Sequence, residues 1–414
     1  MLSNYQTIHS EEQRVRDEYA LAHVFSAIII GLYLTNVAVG VGRFFGITSS
    51  MVSVISKVLI LGTLIRCVFI YLERPVFVVF VSTLTFGIVS IIQTIAFPDN
   101  CQYMRGRGSF FDSTFFIFLV TILPAIYTIA AIEDFDILLR CLQNTATALA
   151  WSTLLIIVLY GGTAFEKYSM GFAGAMILPS CLMVTRAAQP QESLWKKWMN
   201  IILAVVDVFA VAMYGSRGGF IAIVAFIVYY FLWNQIRRRE PKAIPLSLGI
   251  LALAGNYKKI LKWLNEWVQS KGYFSRTLTS LSSDEIKDSG RSVIQAIIKG
   301  EIKENPLQIR GINADYDVIG AYCHNWFMEL IYAFGIILGG ICCIVIIWMM
   351  IRVLWNANTD SRSTMMICLT FAFFPVCLVS GSIWHSTWFW TWFTLYYLQN
   401  DSRPSGSSKN GPAL

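Results

Sequence analysis

Residues Trp326–Met350 read WFMELIYAFGIILGGICCIVIIWMM, and Glu329 is the one charged side chain among them. A helix needs about 20 apolar residues to cross the hydrocarbon core of a bilayer, and this stretch is long enough. The whole chain is similar: 56% of its 414 residues are hydrophobic and 14% are charged, with a mean hydropathy of +0.59. A soluble domain has about 25% charged residues. The composition excludes a soluble globule and predicts an all-α fold, a polytopic bundle of membrane helices.

The apolar runs predict about twelve membrane spans. These are Ala20–Val41, Met51–Tyr71, Val76–Phe97, Thr114–Ile132, Leu138–Gly161, Gly171–Arg186, Asn200–Gly215, Gly218–Trp233, Ala243–Gly255, Trp326–Met350, Thr364–Ile383 and Thr387–Leu398. The ninth and twelfth are short. Residues Met1–Tyr19 lack the basic start and the small-residue cleavage site of a signal peptide.

The distribution of Lys and Arg predicts the orientation. With the N-terminus inside, the inner loops and tails carry 15 of these residues and the short outer loops carry five, namely Arg43, Arg105, Arg107, Lys167 and Arg217. Cytoplasmic loops of membrane proteins carry the excess of basic residues, so both ends are predicted to be cytoplasmic. The net charge of +7 then reflects topology, and nucleic acid is not an expected partner.

This topology divides the chain into five regions. Residues 1–19 are predicted to be a cytoplasmic tail, 20–255 the first nine spans, 256–323 a large outer loop, 324–398 the last three spans, and 399–414 a disordered cytoplasmic tail. Long loops in compact proteins are usually functional or disordered. The outer loop therefore becomes the first place to search for a site.

Two amphipathic helices are predicted in the outer loop. Apolar side chains from Tyr257 to Val268 recur at helical spacing among lysines, which is typical of a helix lying on a membrane surface. Ser292–Glu304 is predicted to be a second helix, ended by Asn305-Pro306. The Ser- and Asp-rich segment between them, Thr277–Gly290, is predicted to be mobile.

The first candidate binding element is Tyr214-Gly215-Ser216-Arg217-Gly218-Gly219-Phe220, which joins the seventh and eighth spans on the outer side. Glycines allow a ligand to approach the backbone, and both Arg and helix N-termini favour anions. A phosphate clamp and a tight turn with an Arg reaching the lipid headgroups are equally good interpretations of this stretch taken alone.

The second element is Ser289-Gly290-Arg291, at the start of the second loop helix. The helix dipole disfavours a cation at an N-terminus. Arg291 therefore indicates an anionic partner, although an ordinary solvated Arg is the simpler alternative.

The third element is the stretch Tyr322–Leu330, which enters the tenth span from outside and contains two of the chain's ionisable candidates. His324 is the side chain best suited to accept a proton near neutral pH. Glu329 follows five residues later, and an acid in a membrane span normally faces the protein interior or a cavity. Glu329 is expected either to orient His324 or to satisfy a neighbouring helix.

Several other residues carry weaker signals. Arg105 and Arg107 form a basic outer loop, and His385 lies in an aromatic stretch, Trp384–Trp390, that fits an interfacial belt better than a sugar-stacking surface. Asp207 could be functional or could pair with Lys57 or Arg66. Of the nine cysteines, Cys101 and Cys323 fall in outer loops, where two separate thiols are favoured over a disulfide. No Cys/His spacing indicates a metal site.

Three segments, in this order, resemble motifs of the bacterial O-antigen polymerase and O-antigen ligase superfamily. They are Ser216-Arg217-Gly218-Gly219; then Gly290-Arg291 with Asn305-Pro306-Leu307 and Gly311; then His324-Asn325 with Glu329 and Phe334-Gly335-Ile336. The resemblance covers Tyr214–Met350, and the first two hundred residues match only in hydrophobic character. In one departure, Ile309 and Arg310 stand where the family often has Gly-x, which removes a glycine and adds an Arg.

The resemblance implies a helical bundle with a periplasmic cap in the bacterial inner membrane. Its implied substrates are oligosaccharides on undecaprenyl pyrophosphate, as donor and as acceptor, with membrane lipids and a chain-length regulator as further partners. Arg217 and Arg291 would bind the pyrophosphate and His324 would act at the acceptor hydroxyl. The implied substrate-binding residues are Ser216, Gly218, Arg310, Tyr322, Asn325, Glu329, His385, Arg105 and Arg107.

The residues fit this chemistry independently. A lipid-linked sugar pyrophosphate is already activated, its leaving group needs positive charge that Arg can supply, and the acceptor hydroxyl needs a base. No metal or cofactor is required. A polymerase of repeat units is favoured, with a ligase that transfers the polymer to lipid A core as the alternative. A flippase or transporter is less favoured because the notable charges gather on the outer face rather than along central spans.

Overall fold

A computed structural model describes most of the chain. The described residues are 2–31, 45–46, 49–73, 76–100, 114–160, 176–189, 193–213, 217–233, 236, 245, 247–249, 252, 255–282, 290–358, 360–379 and 381–401. Regular structure within these ranges is helical, and no strand occurs in them. The predicted all-α class is confirmed for this part of the chain.

The principal helices are numbered here in chain order. They are α1 Leu2–Ser26, α2 Ser49–Glu73, α3 Phe77–Ala96, α4 Thr114–Ala131, α5 Phe135–Tyr160, α6 Ile177–Ala188, α7 Leu194–Met213, α8 Arg217–Val228, α9 Tyr257–Ser270, α10 Arg276–Ser282, α11 Arg291–Glu304, α12 Ala314–Ile319, α13 Trp326–Asn356, α14 Ser361–Val379 and α15 Thr387–Asp401. Single π-helical turns extend α1 over Ala27–Gly31 and α8 over Tyr229–Trp233.

Five of the described helices are long and apolar enough to cross a membrane, namely Phe77–Ala96, Thr114–Ala131, Phe135–Leu159, Trp326–Asn356 and Ser361–Leu378. Three shorter apolar helices are Leu61–Leu72, Ile177–Ala188 and Gly218–Trp233. These eight coincide with the predicted second to sixth, eighth, tenth and eleventh spans. The predicted ninth span, Ala243–Gly255, lies mostly outside the described residues, so the number twelve stays a prediction.

Both predicted tails border on helices. The predicted tail 1–19 is helical, since α1 begins at Leu2 and continues into the first span without a break. At the other end α15 extends to Asp401, and the remainder of the predicted tail 399–414 lies outside the described residues.

Helix α6 lies at the centre of the bundle. Its residues from Ile177 to Thr185 are all buried, and it packs against α5, α7 and α14. Helices α2 and α3 lie at the periphery and expose large apolar side chains such as Leu59, Ile91 and Ile95. Exposed apolar surface of this extent is typical of contact with lipid tails.

Asp207 lies on α7 inside this bundle. It is fully buried, and within the described part of the chain no hydrogen bond reaches either of its carboxylate oxygens. Arg66, one of its two predicted partners, is exposed. The side chain of Lys57, the other, is outside the described part.

Four helices, α9 to α12, come from the predicted outer loop and form a cap at one end of the bundle, called here the loop end. The predicted apolar face of helix α9 is divided: Val268 is buried together with Leu278 of α10 and Met213 of α7, whereas Ile260 and Trp267 are exposed. Its position at a membrane surface stays a prediction. The prediction that Thr277–Gly290 is mobile is wrong for its first residues, because α10 is a helix that extends to Ser282. Residues 283–289 lie outside the described ranges.

Helix α13 is broken at Gly335, where φ is 74° and ψ is 167°. A Cβ added to Gly339 would lie 2.4 Å from the carbonyl oxygen of Leu330, and Sγ of Cys343 is 3.9 Å from the carbonyl oxygen of Phe327. In one straight helix these last two residues would be about 24 Å apart along the axis. Residues 326–334, the first arm, therefore fold back against residues 336–356, the second arm. Glu329 belongs to the first arm, so it is not part of a continuous span.

Residues 306–311 fill this break. The N–H of Ile336 donates to the carbonyl oxygen of Pro306 at 2.8 Å, and those of Arg310 and Gly311 both donate to that of Ala333 at 2.9 Å. Backbone groups released by the broken helix are thus satisfied by the loop. The predicted end of the second loop helix at Asn305-Pro306 is confirmed, since α11 ends at Glu304.

Candidate active site around His324

The segment between α12 and α13 carries His324. Helix α12 ends at Gly320 in a left-handed conformation (φ 70°), and His324 is itself left-handed at φ 57°. Asn325 then caps α13, because its Oδ1 accepts hydrogen bonds from the N–H groups of Phe327 (3.0 Å) and Met328 (3.3 Å). Asn325, predicted to bind substrate, has a structural role in starting the first arm.

The His324 ring is partly buried and has a free ring nitrogen. Its Nδ1 is inaccessible to solvent and has no hydrogen-bond partner among the described residues, and the Tyr322 ring lies 4.3 Å away, centroid to centroid. Burial, and secondarily the positive charge of Arg291, hold the pKa of His324 below its ordinary value of 6.5. The ring is therefore neutral at pH 7 and can accept a proton.

Arg291 is the first residue of α11, and it is close enough to act on both rings. Its charge lowers the pKa of Tyr322 as well as that of His324, although burial makes the net shift of Tyr322 upward. The preceding residue, Gly290, is left-handed at φ 80° and offers no side-chain cap to α11. The structure thus brings Arg291, Tyr322 and His324 together, and their binding of a substrate stays a prediction.

Asp315 of α12 holds the irregular segment that leads to His324. Its carboxylate is buried, and Oδ2 accepts the N–H of Cys323 at 2.8 Å. Burial raises the pKa of this carboxyl. The Cys323 thiol is buried and free, and it donates to the carbonyl oxygen of Asn325 at 3.2 Å. Cys101, its predicted neighbour in the outer loops, lies outside the described residues.

Glu329 is engaged by the segment between α14 and α15. Its carboxylate accepts hydrogen bonds from the Ser382 hydroxyl and, at 3.0 Å, from the N–H of Ile383. Glu329 was expected either to orient His324 or to satisfy a neighbouring helix. The structure shows the second kind of role, since both carboxylate oxygens accept hydrogen bonds from the neighbouring segment. The first arm is thereby tied to the start of α15.

His385 lies on the same side of the cap as His324. Its Nε2 is 2.9 Å from Oγ1 of Thr114, which also accepts a hydrogen bond from Nδ2 of Asn313 at 2.9 Å. Burial lowers the pKa of His385 to about 4. The ring is thus neutral and held in place, which favours a structural role for this predicted substrate ligand.

Arg310 is also anchored. Its guanidinium donates to the carbonyl oxygens of Glu301 (2.9 Å) and Asn305 (3.3 Å) and lies 4.6 Å from the centre of the Tyr332 ring. These contacts close the end of α11 against the break in α13. Its role as an anion ligand stays a prediction.

The remaining predicted site residues fall at the border of the described chain or beyond it. Arg217 is the first residue of α8, but its side chain is outside the described part, and Gly218 follows it in the helix. Ser216, Arg105 and Arg107 lie outside the described residues. Within the described part, no group of three or more His, Cys, Asp or Glu side chains could hold a metal ion.

No protein-family model and no curated protein matches this chain. The geometry of the His324 site therefore carries the functional argument, together with the motif resemblance.

Sequence reasoning missed four of the residues that build the site, namely Thr114, Asn313, Asp315 and Ser382. Each is a short polar side chain, and all but Asp315 have a partner that is distant in the sequence, as far as 271 residues for Thr114 and His385. Asp315 alone had a local signal: an acid two residues after Asn313 and eight before Cys323, at the edge of the motif region.

Proposed function

We propose that the protein is a membrane-embedded glycosyltransferase that polymerises oligosaccharide repeat units carried on undecaprenyl pyrophosphate, the activity of the O-antigen polymerases that its motifs resemble. The observation that carries the proposal is the partly exposed ring of His324, which is neutral at pH 7 and has an Arg beside it. Transfer of a sugar from a pyrophosphate to a hydroxyl requires a base for the hydroxyl proton and a cation for the leaving group. His324 and Arg291 provide this pair.

His324 acts as the base. A general base needs to be unprotonated at the working pH and within hydrogen-bond reach of the hydroxyl, and the lowered pKa of His324 meets the first condition. Its left-handed backbone is a sparsely populated conformation for a residue other than glycine. The hydrogen bond from Cys323 to Asp315 and the Asn325 cap hold the chain on either side of it.

Arg291 binds the pyrophosphate, and Arg217 joins it there. Arg presents a planar fork that suits phosphate oxygens, and the N-terminus of α11 adds the positive end of a helix dipole. Charge supplied in this way stabilises the leaving group without a metal ion.

The reaction then follows from these roles. The acceptor hydroxyl oxygen attacks the anomeric carbon of the donor while His324 takes the hydroxyl proton. The bond from that carbon to the pyrophosphate oxygen breaks, and undecaprenyl pyrophosphate leaves with the bonding electrons. Attack opposite the leaving group inverts the configuration. In the proposed orientation, the loop end faces the periplasm from the inner membrane and both chain termini are cytoplasmic.

The test is substitution of His324 in the purified protein. With a lipid-linked repeat unit as substrate, His324→Ala should lower the rate of chain extension by about a hundred- to ten-thousand-fold, the usual contribution of a positioned base. His23→Ala is the matched control, because His23 is an exposed histidine of α1, and it should keep the parental rate.

Two outcomes would contradict the proposal. Near-parental turnover by His324→Ala would make the residue a packing group. A parent protein that transfers the oligosaccharide to lipid A core but never extends it would be a ligase.

A further inference from the structure

Four aromatic rings form a continuous row at the loop end. The distance between ring centroids is 4.3 Å for His324 and Tyr322, 6.3 Å for Tyr322 and Tyr316 of α12, and 6.3 Å for Tyr316 and His385. All four residues are partly exposed. The row, called here the aromatic row, begins at the proposed base and leads away from it.

The spacing and character of these rings suit a sugar chain. A pyranose ring has apolar C–H faces and polar edges, and it is about as wide as the distance between neighbouring rings of the row. Tyr offers an apolar face together with a hydroxyl that forms hydrogen bonds when half-buried. The surroundings are charged, with Arg291 beside Tyr322 and the exposed Asp317 next to Tyr316, which is unsuited to a lipid tail.

We propose that Tyr322 and Tyr316 bind the acceptor oligosaccharide, with the sugar that carries the attacking hydroxyl at His324 and the following sugars along the row toward His385. This proposal rests on the proposed function. The donor pyrophosphate belongs at Arg291, whose charge lowers the pKa of both His324 and Tyr322. The part of the row from Tyr316 to His385 is therefore available to the acceptor.

Tyr316 is the residue that tests the proposal, because α12 has several other contacts that hold it in place. The helix is held by the hydrogen bonds from Asn313 to Thr114 and from Cys323 to Asp315, and by Ala314 and Ile319 in a small apolar cluster with Ile298. Removing the ring should therefore leave the fold and His324 in place.

The experiment measures initial rates of the purified protein with a labelled donor and a separate acceptor of defined length. Tyr316→Ala should raise KM for the acceptor about tenfold, the effect of one lost aromatic contact. The donor KM and kcat should stay within about twofold of the parent. Tyr316→Trp should restore the acceptor KM, because it keeps an aromatic face. Tyr257→Ala, which removes an exposed ring of α9 outside the row, is the control and should behave as the parent.

A second arm measures binding of the free, lipid-less oligosaccharide to the parent and to Tyr316→Ala by calorimetry. Binding by the parent that weakens in the variant supports the aromatic row even if no polymer is formed, so failure of the proposed function is recognisable separately. An unchanged acceptor KM in an active Tyr316→Ala protein overturns the proposal. So does an equal loss of kcat in Tyr316→Ala and Tyr316→Trp, which would indicate a structural role.

Discussion

His324 has a backbone conformation that few residues other than glycine adopt. Its φ of 57° costs on the order of 1–3 kcal/mol and persists only where the surroundings impose it. Here the surroundings are identified: the N–H of the residue before it is held by Asp315, and the residue after it caps a helix. The imidazole is thereby directed by the backbone rather than by a hydrogen bond to the ring.

The pH dependence of activity should report on this ring. As pH falls through the pKa of His324, the ring takes up a proton and can no longer act as a base, so activity should be lost on the acid side. Since the pKa is below 6.5, the midpoint of this acid limb should lie below pH 6.5. Arg291→Gln removes a nearby positive charge that lowers the pKa, so the midpoint should move to higher pH. The measurement is the rate of chain extension between pH 4.5 and 8.

Arg291→Lys provides the matched comparison. It keeps the charge, so the acid limb should stay where the parent has it, while turnover should fall because Lys lacks the planar fork. Acid limbs that coincide in Arg291→Gln and the parent would show that another group titrates.

At the scale of elements, the break in α13 builds the site. It turns the first arm back along the second, and residues 306–311 supply the missing hydrogen bonds. A hydropathy pattern cannot reveal this break, since the apolar run continues on both sides of Gly335 and summed hydropathy contains no information on φ and ψ. The amphipathic helices α9 and α11 were predictable because their side-chain periodicity is local. The direction in which α9 faces was not, because it depends on α7 and α10.

Gly335→Ala should destabilise the protein. The φ and ψ of Gly335 fall in a region essentially restricted to glycine, and an added Cβ would lie 2.9 Å from the carbonyl oxygen of Leu307. We expect a loss on the order of 1–3 kcal/mol from the backbone conformation alone, seen as a lower thermal midpoint of the detergent-solubilised protein. Gly340→Ala lies in the same helix, where an added Cβ would meet nothing within 4 Å. It should be neutral or slightly stabilising, and equal midpoints for the two variants would argue against the break.

At the scale of the molecule, the helical class and the membrane character follow from composition, whereas the assembly of the site does not. The number and periodicity of apolar side chains can be read from the sequence, and they predict which segments are helices buried in a bundle or a membrane. The site instead depends on single contacts between α3, α4, α12, α13 and the segment before α15, such as that of Gln93 with the backbone of Ile312. Pairings over such distances leave no periodic signal, and so Thr114 and Ser382 were not predictable.

The orientation of the bundle can be tested with a pair of exposed positions. Gln269 lies near the end of α9, beside the C-terminal end of α7, whereas Lys196 lies in the first turn of α7; the length of α7 separates them by about 25 Å. Gln269→Cys should react with an impermeant thiol reagent in intact spheroplasts, and Lys196→Cys only after lysis. Cys101→Ser is the background, because the other eight cysteines are buried or half-buried. The reverse pattern would place the loop end in the cytoplasm.

The hydrogen bond between Thr114 and His385 has a consequence for biosynthesis. Its two partners are 271 residues apart, and a chain that emerges at about 5–20 residues per second needs tens of seconds to add the second after the first. Throughout that time Thr114 at the start of α4 lacks His385, and for the first 199 of those 271 residues it also lacks Asn313. The centre around His324 is consequently completed only after residues 382–385 have been added, and a nascent chain stalled before Ser382 would carry every charged group of the motifs but neither Ser382 for Glu329 nor His385 for Thr114.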